Sequence, residues 1–169
     1  MKHPLLKNVL ISPPFGNYFW HSNATRIRGS FTVERRPGLI WNTLRSFRKS
    51  GDGWINQIGL RNCGVGNTKG DPGSVYSLAA IEDDDWIHLE DRLDPNVTMV
   101  EVNLGCPNVS KSAIPSHGVF DLFHLVFDVV IVKIAPTDAG CSQALQLIEE
   151  CGVKIIHACN TIPTDKGGI

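Results

Sequence analysis

Apolar residues recur along the chain in short blocks separated by proline, glycine and asparagine. KNVLIS (7–12) is a short apolar run closed by Pro13-Pro14, which predicts a strand. ATRIRGSFTV alternates and is rich in β-branched residues, predicting a second strand that runs to Thr32 before the loop ERRPG. The segment from Leu39 to Lys49 is compatible with a short helix, and WINQIGLRNCGVGN begins apolar and breaks into a glycine-rich loop. SVYSLAAI (74–81) is a third strand. From Asp83 to Leu93, Trp86, Leu89 and Leu93 fall at helical spacing, with aspartates at the start where the helix dipole favours them. TMVEVNLG is a fourth strand and SHGVFDLFHLVFD a helix. VVIVKIAP stays apolar up to Lys133, the pattern of a strand buried on both faces. Thr137-Asp138 then caps a helix expected to turn Leu145 and Ile148 inward, with Gly152 at its C′ position. VKIIHACNT is a sixth strand.

Strands separated by helices or long loops imply right-handed crossovers and a parallel sheet. Two architectures fit this order: an open doubly wound sheet, or part of a (β/α)8 barrel. In both, chemistry gathers at the C-terminal ends of the strands. The polar residues that interrupt the apolar blocks lie there: Asn103 and Cys106 after the fourth strand, Lys133 at the end of the fifth, and Asn160-Thr161 at the end of the sixth.

Composition narrows the function classes. The 169 residues have room for one domain, 1–169, and nothing in their composition marks a second. Sixteen Lys and Arg against 17 Asp and Glu leave no basic excess for nucleic acid, and the acidic run Glu82–Asp85 reads as a solvated helix start. No apolar run reaches the ~20 residues that span a bilayer, so the expected location is cytoplasmic, with no membrane partner. Five cysteines without a C-x-x-C pair argue against a disulfide framework or a zinc site, and no metal ligand is assigned. Most of these thiols are expected to be small buried hydrophobes. His157, among apolar neighbours, reads as a satisfied core histidine, while Asn62 and Asn67 read as turn formers.

Four ordered motifs resemble the dihydroorotate dehydrogenase family of FMN-dependent (β/α)8 barrels, in its cysteine-base class. These are RGSFTVERRPG, INQIGLRNCG, NLGCPN, and VKIAP followed by CNT and GGI. The resemblance implies an α/β fold, an incomplete TIM barrel of about six parallel strands. It implies FMN as cofactor and a small-molecule substrate, dihydroorotate or a related pyrimidine, with oxidation of dihydroorotate to orotate in pyrimidine (UMP) biosynthesis as the leading reading. Dihydroorotate is a cyclic imide-amide bearing a carboxylate, and asparagine amides offer it paired donors and acceptors without added charge. By resemblance Asn56, Asn103, Asn108 and Asn160 would ring the substrate, closed by Thr161 and by Gln57, Ile58, Gly59 and Leu60. Cys106 would be the base that removes the C5 proton. Ser30, Asn103 and Lys133 would contact the flavin, Lys133 stabilising charge that gathers on its N1/C2 edge. Taken singly, Cys106 reads as a structural thiol and Lys133 as a snorkelling terminus.

A full barrel of this type takes ~250 residues, and the loops after strands seven and eight usually hold its phosphate site. The last two βα units are therefore expected to be missing here. That expectation leaves two readings. One is an enzyme segment completed by a homo-oligomer or a partner chain, whose own activity is uncertain. The other is a truncated, non-catalytic half-barrel serving interaction or self-association.

Overall fold

The computed structural model describes residues 5–50, 53–55, 57–104, 114–159, 163–164 and 167–168. The chain runs β1 (Val9–Ile11), a 3-10 turn (Phe15–Asn17), β2 (Ala24–Phe31), α1 (Leu39–Ser46), β3 (Arg48–Ser50) and β4 (Gly53–Ile55). A second 3-10 turn (Val65–Asn67) leads to β5 (Ser74–Leu78), α2 (Asp85–Asp91), β6 (Met99–Asn103), α3 (His117–Val126), β7 (Val129–Ile134), α4 (Asp138–Cys151) and β8 (Ile155–Ala158). The two-residue strands β9 (Pro163–Thr164) and β10 (Gly167–Gly168) pair antiparallel, as do β3 and β4. The sequence pattern did not announce these two small ribbons, because strands of two or three residues are too short to show a period.

Six strands form one sheet in the order β1-β2-β5-β6-β7-β8, every pair parallel. The order never reverses along the chain. A doubly wound sheet must reverse to place helices on both faces, whereas right-handed crossovers advancing in one direction put every helix on the same face. The result is a half-barrel, which settles the choice between the two architectures.

The outer face carries Tyr76, Leu78, Val100, Val102, Val130, Val132 and Ile134, packed against Trp86, Leu89, Phe120, Phe123, Ala144 and Leu147 of the helices. The rings of Trp86 and Phe127 both meet Phe123 edge-on, with centroids 6.2 and 5.4 Å away. The inner face begins with a smaller apolar layer, Ile27, Val75, Met99, Val129 and Ile131, backed by Leu6, Leu10 and Ile155. Because side chains alternate along a strand, the next inward positions toward the C-terminal ends are Ser77, Glu101, Asn103, Lys133 and His157. Apolar below and polar above, the inner face reserves its C-terminal half for chemistry.

Helix α4 corrects one expectation. Thr137 caps it by accepting a hydrogen bond from the Gly140 amide (3.2 Å), and Gly152 ends it at φ 65°, both as the pattern required. However, Ala144, Leu147 and Cys151 face the core, while Leu145 and Ile148 are exposed. The two stripes lie side by side on the helix, and packing selected the one with the smaller side chain, Ala144, against the strands. The cysteine expectation is also corrected: of those described, Cys63, Cys141 and Cys159 are exposed and Cys151 alone is buried. Among the described residues no helix is long and apolar enough to cross a membrane.

Truncating Phe123, which is fully buried, removes the ring that joins α2 to α3. Phe123→Ala is expected to cost about 3–5 kcal/mol in denaturant unfolding. Leu145→Ala, on the exposed stripe, is expected to change stability by less than about 0.5 kcal/mol.

Candidate active site

The polar half of the inner face is built around Glu101. Its neighbours Val100 and Val102 point outward into the helix-covered core, so the pleat turns Glu101 inward, where it is wholly buried. Three groups meet its carboxylate. Ser77 Oγ donates to Oε1 at 2.7 Å, Lys133 Nζ lies 3.2 Å from the same oxygen, and His157 Nδ1 is 2.7 Å from Oε2. Burial alone would raise the Glu101 pKa, but the hydrogen bond from His157, the charge of Lys133 and the bond from Ser77 outweigh it. The carboxyl is held below the ordinary glutamate value and stays ionised.

An ionised carboxylate can only accept, and this sets the direction of the hydrogen bonds leading to it. Ser77 gives its proton to Glu101, so Ser77 Oγ accepts from Ser30 Oγ (2.8 Å). Ser30 Oγ in turn accepts from Asn103 Nδ2 (2.8 Å). The line Asn103, Ser30, Ser77, Glu101 is therefore polarised one way along its length. By the same rule Nδ1 of His157 carries a proton and donates to Glu101, so in the neutral ring Nε2 is the accepting nitrogen.

A local irregularity brings Ser30 inward. Gly29 pairs with Ser77 and Phe31 with Leu78, so Ser30 is an extra residue without a partner on β5. Ile27, on one side of this bulge, faces the inner layer; Phe31, on the other, stacks on Tyr76 in the outer core with centroids 5.9 Å apart. The inserted residue thus switches the strand from one face to the other. Gly29 has φ 118°, and a Cβ there would stand 2.5 Å from the Ser77 carbonyl oxygen, so only glycine fits. Asn17, in the turn after β1, braces the bulge by accepting from the Gly29 amide (2.8 Å) and donating to its carbonyl (3.0 Å).

The loop of Gln57, Ile58, Gly59 and Leu60 is tied to the same end of β2. Asn62 exchanges backbone hydrogen bonds with Arg36, and its side chain accepts from the amides of Thr32 (3.2 Å) and Gly64 (2.8 Å) and donates to the Leu60 carbonyl (3.1 Å). This confirms Asn62 as a turn former. The Gln57 amide donates to Ser46 Oγ at the end of α1 (3.0 Å), Gly59 has φ 70°, and Leu60 is buried.

Of the residues singled out from sequence, Ser30, Asn103 and Lys133 come together at the C-terminal ends of β2, β6 and β7, with Asn103 in register with Lys133. The ladder runs one residue further, from the Leu104 amide to the Lys133 carbonyl (2.9 Å). Gln57 to Leu60 form a separate loop, anchored through Asn62. Asn56, Cys106, Asn108, Asn160 and Thr161 lie outside the described residues. Sequence reasoning passed over Glu101 and Ser77. The available signal was the alternation in VEVN, which sets Glu101 on the same face as Asn103. His157 is a satisfied histidine, as expected, but its partner is a buried carboxylate rather than an apolar setting.

Six parallel strands with buried polar side chains at their C-terminal ends define an α/β half-barrel of the kind that carries enzyme active sites. No family model matches the chain. Relatives that it matches include dihydroorotate dehydrogenases of both the A and B types. A putative dihydroorotate dehydrogenase A (fumarate) from Pediococcus pentosaceus is 33% identical over 98 residues, covering 50% of this chain and 31% of that protein. The catalytic subunit of dihydroorotate dehydrogenase B (NAD(+)) from Bacillus pumilus is 27% identical over an alignment of 185, covering 93% of this chain and 59% of that protein. The corresponding subunit from Caldicellulosiruptor saccharolyticus is 28% identical over 131, covering 65% and 42%. The resemblance read from the four motifs is matched by alignments that cover 50–93% of this chain, which spans 31–59% of these relatives' lengths.

Removing one member of the Glu101–Lys133 pair strands the other charge in the interior. Glu101→Gln is expected to cost roughly 3–5 kcal/mol by denaturant unfolding, and the double variant Glu101→Gln/Lys133→Met to lose less than the single one. Because the folded carboxyl is depressed, its contribution is complete above the ordinary glutamate range (about 4.3) and disappears as pH falls through the folded value. Unfolding midpoints measured across acid pH should therefore fall less steeply in Glu101→Gln than in the parent.

Proposed function

We propose that this chain forms the substrate- and flavin-facing part of a dihydroorotate dehydrogenase-like site that oxidises dihydroorotate to orotate, an oxidoreductase step of pyrimidine biosynthesis in the cytoplasm. The observation that carries the proposal is the convergence of Ser30, Asn103 and Lys133 at the C-terminal ends of parallel strands. The names of the relatives support the same chemistry. Nothing in the comparisons favours the non-catalytic reading.

The donor set suits FMN. An ammonium, an amide and a hydroxyl at the C-terminal ends of one sheet match the carbonyl-bearing edge of a flavin, and none of the three is apolar. FMN would supply the hydride acceptor. Lys133 would stand against that edge, its ammonium held in place by Glu101 so that the charge is already oriented. Asn103 and Ser30, linked to one another, would present fixed polar atoms. The backbone of Gln57 to Leu60, with Asn56, Asn108, Asn160 and Thr161, would orient the substrate ring by neutral hydrogen bonds. Cys106 would take the C5 proton, a role that needs the thiol within hydrogen-bond reach of that carbon's proton. The remaining barrel wall and the phosphate site would come from a second copy or another polypeptide segment.

Titrating the purified chain with FMN and following quenching of flavin fluorescence tests the cofactor reading, with binding expected and weakened in Lys133→Ala. Anaerobic addition of dihydroorotate should then bleach the bound flavin. Cys106→Ala should slow that bleaching by about 10²–10⁴-fold while leaving flavin bound. A chain that takes up no flavin, alone or mixed with a relative's missing segment, would overturn the proposal.

A further inference from the structure

His157 and Cys159 play no part in the flavin reading, yet they complete an arrangement with its own chemistry. Cys159 is exposed, and its Sγ is 2.6 Å from His157 Nε2. On the other side of the ring, Nδ1 donates to the buried Glu101 carboxylate at 2.7 Å. Ser12 Oγ, just past β1, lies 3.3 Å from Nε2 and 3.7 Å from Sγ. A thiol, an imidazole and a buried carboxylate thus stand in line: nucleophile, base and the group that orients the base. The carboxylate fixes the ring proton on Nδ1, so the nitrogen facing the thiol is the one free to take a proton. Lys133, the other charged group on Glu101, is in register with His157 on the adjoining strand.

From this geometry we infer that Cys159 is a reactive thiol, a site of thiol–disulfide exchange with low-molecular-weight disulfides, activated by His157 and oriented through Glu101. The thiol proton passes to His157 Nε2 as the sulfur attacks one sulfur of the disulfide. A new S–S bond forms to Cys159, the original S–S bond breaks, and the departing thiolate takes the proton back from the imidazole. Cys159 is oxidised and the departing half reduced, so no further oxidant is needed. The mixed disulfide places its substituent at the C-terminal ends of the strands, on the same rim as Lys133. The inference stands independently of flavin binding.

The chain carries its own controls. Cys63 and Cys141 are exposed, and Cys151 is buried and reports unfolding. The 169-residue protein is treated separately with glutathione disulfide and with iodoacetamide, and modification at each cysteine is followed by peptide mass spectrometry. Cys159 is expected to react at least about tenfold faster than Cys63 or Cys141. His157→Asn should bring Cys159 down to their rate, and Glu101→Gln should lower it while leaving Cys63 unchanged, Cys151 remaining protected in both. A Cys159 rate no greater than those of Cys63 and Cys141 in the unaltered protein would overturn the inference. So would a His157→Asn protein in which Cys151 is protected and Cys159 is undiminished. Where a variant exposes Cys151, the ranking in the unaltered protein decides. Cys106 is read on its own peptide, so failure of the flavin reading leaves this result interpretable.

Discussion

A carboxylate without solvent contact must be matched by donors from its surroundings or not be ionised at all. Glu101 meets that requirement by drawing on Ser77, Lys133 and His157, which come from three other strands of the half-barrel. Its need for donors ties β5, β6, β7 and β8 together on their inner face, above the smaller apolar layer. The serine and asparagine beyond it inherit their orientation from the same charge, because each hydroxyl can give its proton only once. The inner face is thereby ordered electrically as well as sterically.

The geometry that serves this charge comes from two backbone features. Winding in one direction sets α2, α3 and α4 against the outer face, where Trp86, Phe120, Phe123 and Leu147 pack. The bulge at Ser30 then lets β2 keep Ile27 inside and Phe31 outside while adding one hydroxyl to the polar line. The sheet also curls far enough that Ser12, at one edge, reaches His157 at the other. Curvature, not strand pairing, makes that contact, since β1 and β8 are the outermost strands of the six.

One network can serve two chemistries because its ends differ. One arm runs from Glu101 through Ser77 and Ser30 to Asn103, the last three all neutral groups, while Lys133 on β7 adds an ammonium. Toward β8 the network finishes in an imidazole and an exposed thiol, groups suited to moving a proton and forming a bond to sulfur. The carboxylate joins the two, with Lys133 and His157 on different oxygens of the same group.

Much of this was legible in the residues taken one after another. Apolar blocks and their breakers located all six strands of the sheet and the main helices, because burial on the strand or helix period is a local property of the chain. The motif residues Ser30, Asn103 and Lys133 were also found in order, at the strand ends where they meet. The inward turn of α4 was not legible: Leu145 and Ile148 form as good a stripe as Ala144, Leu147 and Cys151, and only the space above β7 selects between them. Glu101 looked like one polar residue in an apolar strand, and His157 and Cys159 like neighbours of no consequence. Their significance arises from contacts between strands, Glu101 with His157 across 56 residues of chain and Ser12 with Cys159 across 147, which the order of residues does not record. Sequence by itself determined the six strands of the sheet, the helices between them, their order and the chemistry available at the strand ends. Tertiary structure alone decided which charges face each other, because a hydrogen bond between strands depends on pleat, register and curvature rather than on distance along the chain.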